Sequence, residues 1–103
     1  MTDGTGLPFN TTNAIEVLTA IANENRLKVL CLLLESERSV TDLGNRIGLA
    51  QSPLSQHLAK LRKLDLVGTR RDGQLIYYHL KSAAVRDMLG LLEQLYPVDA
   101  ARR

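Results

Sequence analysis

The chain has 103 residues, a formal net charge of +2, 45% hydrophobic and 23% charged side chains, and one cysteine. That length fits one domain with a modest core, which a dimer interface could supplement. The longest apolar run, Val29 to Leu34, is too short to cross a bilayer; no basic-then-apolar secretion signal opens the chain; and the lone cysteine excludes an intrachain disulfide. The expectation is therefore a cytoplasmic protein without a membrane partner.

Residues 1 to 11 hold Gly, Thr, Pro and Asn and read as a flexible N-terminal arm. A first helix is expected from Thr12 or Asn13, either of which can cap it. Ala14, Ile15, Leu18, Ile21 and Ala22 then follow helical spacing. After a break at Asn23 to Asn25, a second helix places Leu27, Leu30, Cys31 and Leu34 on one stripe, which makes Cys31 a packed core residue. A short third helix spans about Val40 to Ile47, starts near Ser39 or Thr41, and closes on Gly48 as a left-handed cap. Proline is tolerated only in the first turn of a helix, so Pro53 sets the start of a fourth helix near Gln51.

Past Asp65 the apolar pattern alternates. Val67 to Arg71 and Gln74 to Leu80 read as strands, with Asp72-Gly73 as a two-residue hairpin turn. A fifth helix runs from about Ser82 to Tyr96. Val85, Met88, Leu89, Leu92, Leu95 and Tyr96 form its apolar stripe, and Pro97 ends it before a tail of residues 97 to 103. The fold class expected is mainly α with a β-hairpin wing (α+β). It is a winged helix-turn-helix over residues 12 to 96, ordered as four helices, two strands and a last helix.

The third and fourth helices have the layout in which the second helix enters a DNA major groove. On a wheel, Leu54, Leu58 and Leu61 fall together as the buried face of the fourth helix. Ser52, Gln56, Ala59 and Lys63 point opposite, flanked by Ser55 and Lys60. Gln51, Ser52, Ser55 and Gln56 are suited to base edges; Lys60 and Lys63 reach far enough for phosphates. His57 sits at the edge of the stripe, where it can meet a phosphate or a neighbouring backbone group. Arg70, Arg71 and Gln74 on the wing are expected to grip a backbone or a minor groove. The competing reading of each residue is an ordinary solvated surface.

The tight turn before the fourth helix and the wing after it favour the first reading; the charge distribution suggests a polyanion-facing surface but alone leaves the two readings about even. Residues 44 to 74 hold six cations against two anions, and the rest of the chain holds seven against nine. The two histidines and one cysteine lie on three different elements, so no metal site is expected, and no cofactor. No paired nucleophile and base and no phosphate-binding glycine loop points to an enzyme.

The stretches LTAIANENRLKVLCLL (18–33) and TDLGNRIGLAQSPLSQHLAKLRKLDLVGTRRDGQLIYYHL (41–80), with the terminal amphipathic helix, resemble the ArsR/SmtB family of winged-helix regulators. Within it the chain is most similar to metal-independent, NolR-like members. The resemblance implies a repressor that occludes a promoter. It implies a homodimer built from the first and last helices, with Ile15, Leu18, Met88, Leu89, Leu92, Leu95 and Tyr96 at the interface. The partner would be double-stranded DNA carrying an inverted repeat, with half-sites about one helical turn apart.

Many members of the family sense metals through a cysteine pair in the third helix, where this chain has Ser39 and Thr41. Others use Asp, His, His and Glu on the last helix, where it has Ser82, Ala84, Leu95 and Val98. Sulfide-sensing members pair a second-helix cysteine, matched by Cys31, with one near Tyr96 to Val98, where none stands. The alternatives left open are a winged-helix protein-interaction module, and a repressor induced by an organic ligand or by thiol chemistry at Cys31.

Overall fold

The computed structural model describes residues 4 to 99. Residues 1 to 3 of the expected arm and 100 to 103 of the expected tail lie outside the described residues. Five helices and three strands follow in the order α1 (Thr11–Ile21), α2 (Glu24–Glu35), β1 (Arg38–Ser39), α3 (Val40–Ile47), α4 (Gln51–Lys63), β2 (Val67–Asp72), β3 (Leu75–Leu80) and α5 (Ala83–Leu95). The strands form one antiparallel sheet in the order β1-β3-β2. This is a winged helix-turn-helix, as the sequence pattern predicts.

Local chemistry sets the helix ends. Asn10, Asn23, Ser39 and Ser82 each accept a hydrogen bond from the backbone N–H three residues on, at the starts of α1, α2, α3 and α5. The cap at Asn10 starts α1 at Thr11, a residue or two ahead of the sequence expectation. Thr11 is nearly buried, and its Oγ1 lies 2.8 Å from Thr5 Oγ1, so the segment before the helix is tied to it.

Four leucines and a valine from the centre of the chain anchor the core. Leu43 from α3, Leu54, Leu58 and Leu61 from α4 and Val67 from β2 are almost fully buried, with Val29, Leu30 and Val85. Each such side chain stabilises the fold by about 1.5–3 kcal/mol. The three α4 leucines form the stripe that the wheel predicts, and they fix which face of α4 is left outside.

Three expectations need correction. Cys31 is exposed. The buried apolar positions of α2 are Val29, Leu30 and Leu33; Cys31 lies about 100° further round the helix from Leu30, outside that face. The uninterrupted apolar run hides the true phase of this helix. Leu89, expected at a dimer interface, is a core residue at 4% exposure, and Met88 packs against the same cluster.

The hairpin turn is displaced by one residue. Asp72 pairs with Leu75, so Gly73 and Gln74 are the turn residues. Gly73 has φ +63° and Gln74 does not share its sign, the pattern of a type II′ turn. The Asp-Gly signal located the hairpin but shifted its register. Arg71 faces Ile76 instead of Gln74.

Candidate nucleic-acid interface

The turn between α3 and α4 is tight because two glycines permit it. Gly48 ends α3 with φ +79°, and its N–H and that of Leu49 both donate to the Gly44 carbonyl. A Cβ on Gly44 would stand 3.2 Å from the Leu49 carbonyl oxygen, so a larger residue there would press the turn open by a few tenths of an ångström. The far end of α4 closes in a Schellman motif. Asp65 N–H donates to Arg62, and Leu66 N–H to Leu61, at 2.9 and 3.0 Å.

Held between these ends, α4 turns its polar face out. Gln51, Ser52, Ser55, Gln56, Ala59, Lys60 and Lys63 are all exposed. Five of them, Gln51, Ser52, Ser55, Gln56 and Ala59, line one shallow concavity. The short polar groups predicted as base readers therefore lie together, with the lysines beyond them towards the C-terminal end.

His57 does not join this face. It is partly buried, and its Nδ1 lies 3.4 Å from Nη1 of Arg26 on α2. A guanidinium only donates, so this hydrogen bond requires Nδ1 to accept, with the ring proton on Nε2. Burial, then the charges of Arg26 and Lys60, push the His57 pKa below its ordinary value. The expectation of a phosphate contact at His57 gives way to an internal one, because its place at the edge of the leucine stripe carries it inward.

The two wing arginines divide. Adjacent residues of a strand face opposite sides of its sheet. Arg71 shares its side with Ile76, Thr69 and the core residue Val67. Arg70 takes the other side. There it meets Glu37 at 2.7 Å, and its guanidinium carbon lies 4.5 Å from the centre of the Tyr77 ring. The Arg70 partner holds the Glu37 carboxyl below the usual carboxylate range. Arg70, expected as a DNA contact, is engaged in the free protein by Glu37 and the Tyr77 ring.

Pairing sorts the cations of the segment. Arg46 binds Asp42, and Arg70 binds Glu37. Lys60, Arg62, Lys63 and Arg71 have no ion-pair partner among the described residues. The unneutralised charge of this segment thus falls on the C-terminal half of α4 and on the wing.

Sequence reasoning missed Arg62, Thr41 and Asn45. All three line a groove between α3, α4 and the wing, along with Ser55, Lys63, Gln74 and Tyr78. Arg62 follows Ser55 by seven residues, two helical turns, and that spacing was the available signal. Thr41 and Asn45 share one face of α3 at i, i+4 spacing. Gln74 lies at the wing turn and opens on the same groove. No group of three or more His, Cys, Asp or Glu side chains suited to a metal occurs among the described residues.

A helix with a buried leucine face and an outward polar and basic face, set by a tight turn and followed by a hairpin, defines the winged helix-turn-helix DNA-binding regulators. Residues 23–69 match the family described as "Bacterial regulatory protein, arsR family". The chain belongs to that family, whose members are transcriptional regulators and not enzymes.

Among its relatives, the transcriptional activator HlyU of Vibrio cholerae is 49% identical over 87 residues, covering 84% of this chain and 81% of HlyU. The solved HlyU structure superposes with a TM-score of 0.82, over 87% of this chain and 98% of that one. NolR from Sinorhizobium fredii is 42% identical with a TM-score of 0.80, over 90% and 99% of the two chains. A homodimeric winged helix-turn-helix DNA-binding domain from Mycobacterium bovis is 30% identical with a TM-score of 0.75, over 82% and 78%.

Proposed function

We propose that the protein is a sequence-specific transcriptional repressor that binds an inverted-repeat operator as a homodimer. The observation that carries this reading is the surface of α4. A cluster of small polar side chains is continuous with Lys60, Arg62 and Lys63, which no acidic side chain among the described residues neutralises. In the complex Gln56, with Gln51, Ser52 and Ser55, reads base edges, and Ala59 lets the groove wall approach. Lys60, Arg62, Lys63 and Arg71 neutralise phosphates, while Gln74 meets the backbone at the wing. Repression follows when the bound dimer occludes a promoter.

The dimer is supported by apolar surface left uncovered on two helices. Ile15 and Leu18 on α1, and Leu91, Leu92 and Leu95 on α5 with Tyr96 after it, are all exposed in the protomer. Leu91, not expected from the sequence, belongs to this set. A related domain is itself homodimeric.

The reading is of a repressor without the family's metal sites. Ser39 and Ser82 stand at positions where metal-sensing relatives hold ligands. Both hydroxyls are engaged as helix caps, accepting from Asp42 and Val85 N–H at 3.0 and 3.1 Å. Oxygen donors committed to backbone amides are poor partners for soft metals.

Genome-wide footprinting tests the proposal. It should recover an inverted repeat with half-sites about one helical turn apart, upstream of genes whose transcription rises when the protein is removed. Binding spread without a shared motif would contradict it.

A further inference from the structure

The four terminal carbonyls of α1 are all satisfied, in two ways. Backbone N–H groups of Ala22 and Asn23 serve Leu18 and Ile21. The side chain of Arg26 serves the other two. Its Nε donates to the Ala20 carbonyl at 2.7 Å and its Nη2 to the Thr19 carbonyl at 3.3 Å. Arg26 is 7% exposed. Its remaining nitrogen, Nη1, reaches His57 Nδ1 on α4. One buried side chain thus caps α1, belongs to α2 and touches α4 directly beside Gln56.

We propose that His57 is a positioning residue for DNA recognition: through Arg26 it fixes the roll of α4 against the end of α1, and so aims Gln56 and its polar neighbours at the base edges. The inference rests on the DNA-binding reading above and deepens it. His57 touches no DNA in this account. The contact needs an unprotonated Nδ1, since a guanidinium cannot accept. Protonation turns acceptor into donor and places a cation between Arg26 from α2 and Lys60 from its own helix, the two charged groups that act on it. Loss of the contact leaves the leucine anchors of α4 in place, so the helix stays folded with its polar face outward while the fine setting of its roll is relaxed.

Substituting Arg26 would uncap α1 and endanger folding, so the test uses His57. His57→Asn keeps an acceptor oxygen near the place of Nδ1; His57→Phe keeps a ring of similar size without one. Fluorescence anisotropy is read on the footprinted operator duplex and on a random duplex, for wild type and both variants. His57→Phe should lose about tenfold in operator affinity, with random-duplex binding nearly unchanged and the folded far-UV spectrum retained. His57→Asn should stay within about threefold of wild type. Nitrogen NMR of the free protein at pH 7.5 should show Nδ1 unprotonated, and operator affinity should fall with acid below that of His57→Asn. Equal operator affinity for wild type and His57→Phe overturns the proposal, as does an equal loss in both variants or a protonated Nδ1. A wild-type protein that does not prefer operator to random duplex overturns the DNA-binding reading itself and this inference with it.

Discussion

Asp65 carries φ +62° and is the one non-glycine residue with positive φ among the described residues. It holds the left-handed position of the Schellman motif that ends α4, and its carboxylate meets Lys81 Nζ at 2.7 Å. The left-handed conformation costs an ordinary residue about 1–2 kcal/mol, while an exposed ion pair is worth about 0–1 kcal/mol. Asp65→Gly should therefore unfold in urea within about 1 kcal/mol of wild type, and Asp65→Val should lose about 2 kcal/mol. Cys31 makes a second residue-level case. Partial burial, then the nearby charges of Glu93 and Glu35, raise its thiol pKa. It should react with iodoacetamide at pH 7.5 more slowly than a free cysteine, and Glu93→Gln should speed the reaction. On α4, Gln56→Ala should weaken operator binding by about 1–3 kcal/mol and leave random DNA unaffected. Lys63→Ala should weaken both alike, as read by competition titration.

At the scale of elements, the wing shows what neighbouring arginines do when a strand turns them to opposite sides. Arg70 clasps β2 to Glu37 ahead of β1 and lies over Tyr77. Arg71 has no ion-pair partner among the described residues. Arg70→Ala should speed amide exchange in the hairpin, whereas Arg71→Ala should weaken DNA binding and leave that exchange unchanged. The clasp has a defined acid limit. Glu37 has a lowered pKa, so its contribution to stability is complete above the ordinary carboxylate range and is lost as pH falls through the lowered value.

Elements whose ends carry local chemistry were legible from sequence: Ser39 and Gly48 around α3, Pro53 in the first turn of α4, and Ser82 before α5. Strand β1 was not. Its two residues are strand only because Tyr77 and Tyr78, some forty residues on, pair with them. The same non-locality hid the partner of Arg70. The polar face of α4 could be read because the period of a helix places each side chain relative to Leu54, Leu58 and Leu61. The partner of His57 could not, since it is an arginine from another helix.

For the whole molecule, the proposed function assigns two tasks to separate surfaces, dimerisation to the exposed stripes of α1 and α5 and DNA binding to the basic face of α4. Ile15→Glu or Leu95→Glu should yield a folded monomer by sedimentation, with operator affinity reduced far more than random-DNA affinity, because only a dimer spans both half-sites. On α4 and the wing each protomer presents four cations, Lys60, Arg62, Lys63 and Arg71, without an ion-pair partner among the described residues, so a dimer can release up to eight counterions from the DNA. The most direct test of the account is the salt dependence of binding to the footprinted operator and to a random duplex of equal length. The account predicts that the operator is preferred at every salt concentration, with log affinity falling against log salt at a slope approaching about −7. Equal affinity for the two duplexes, or an affinity that salt does not change, would contradict it.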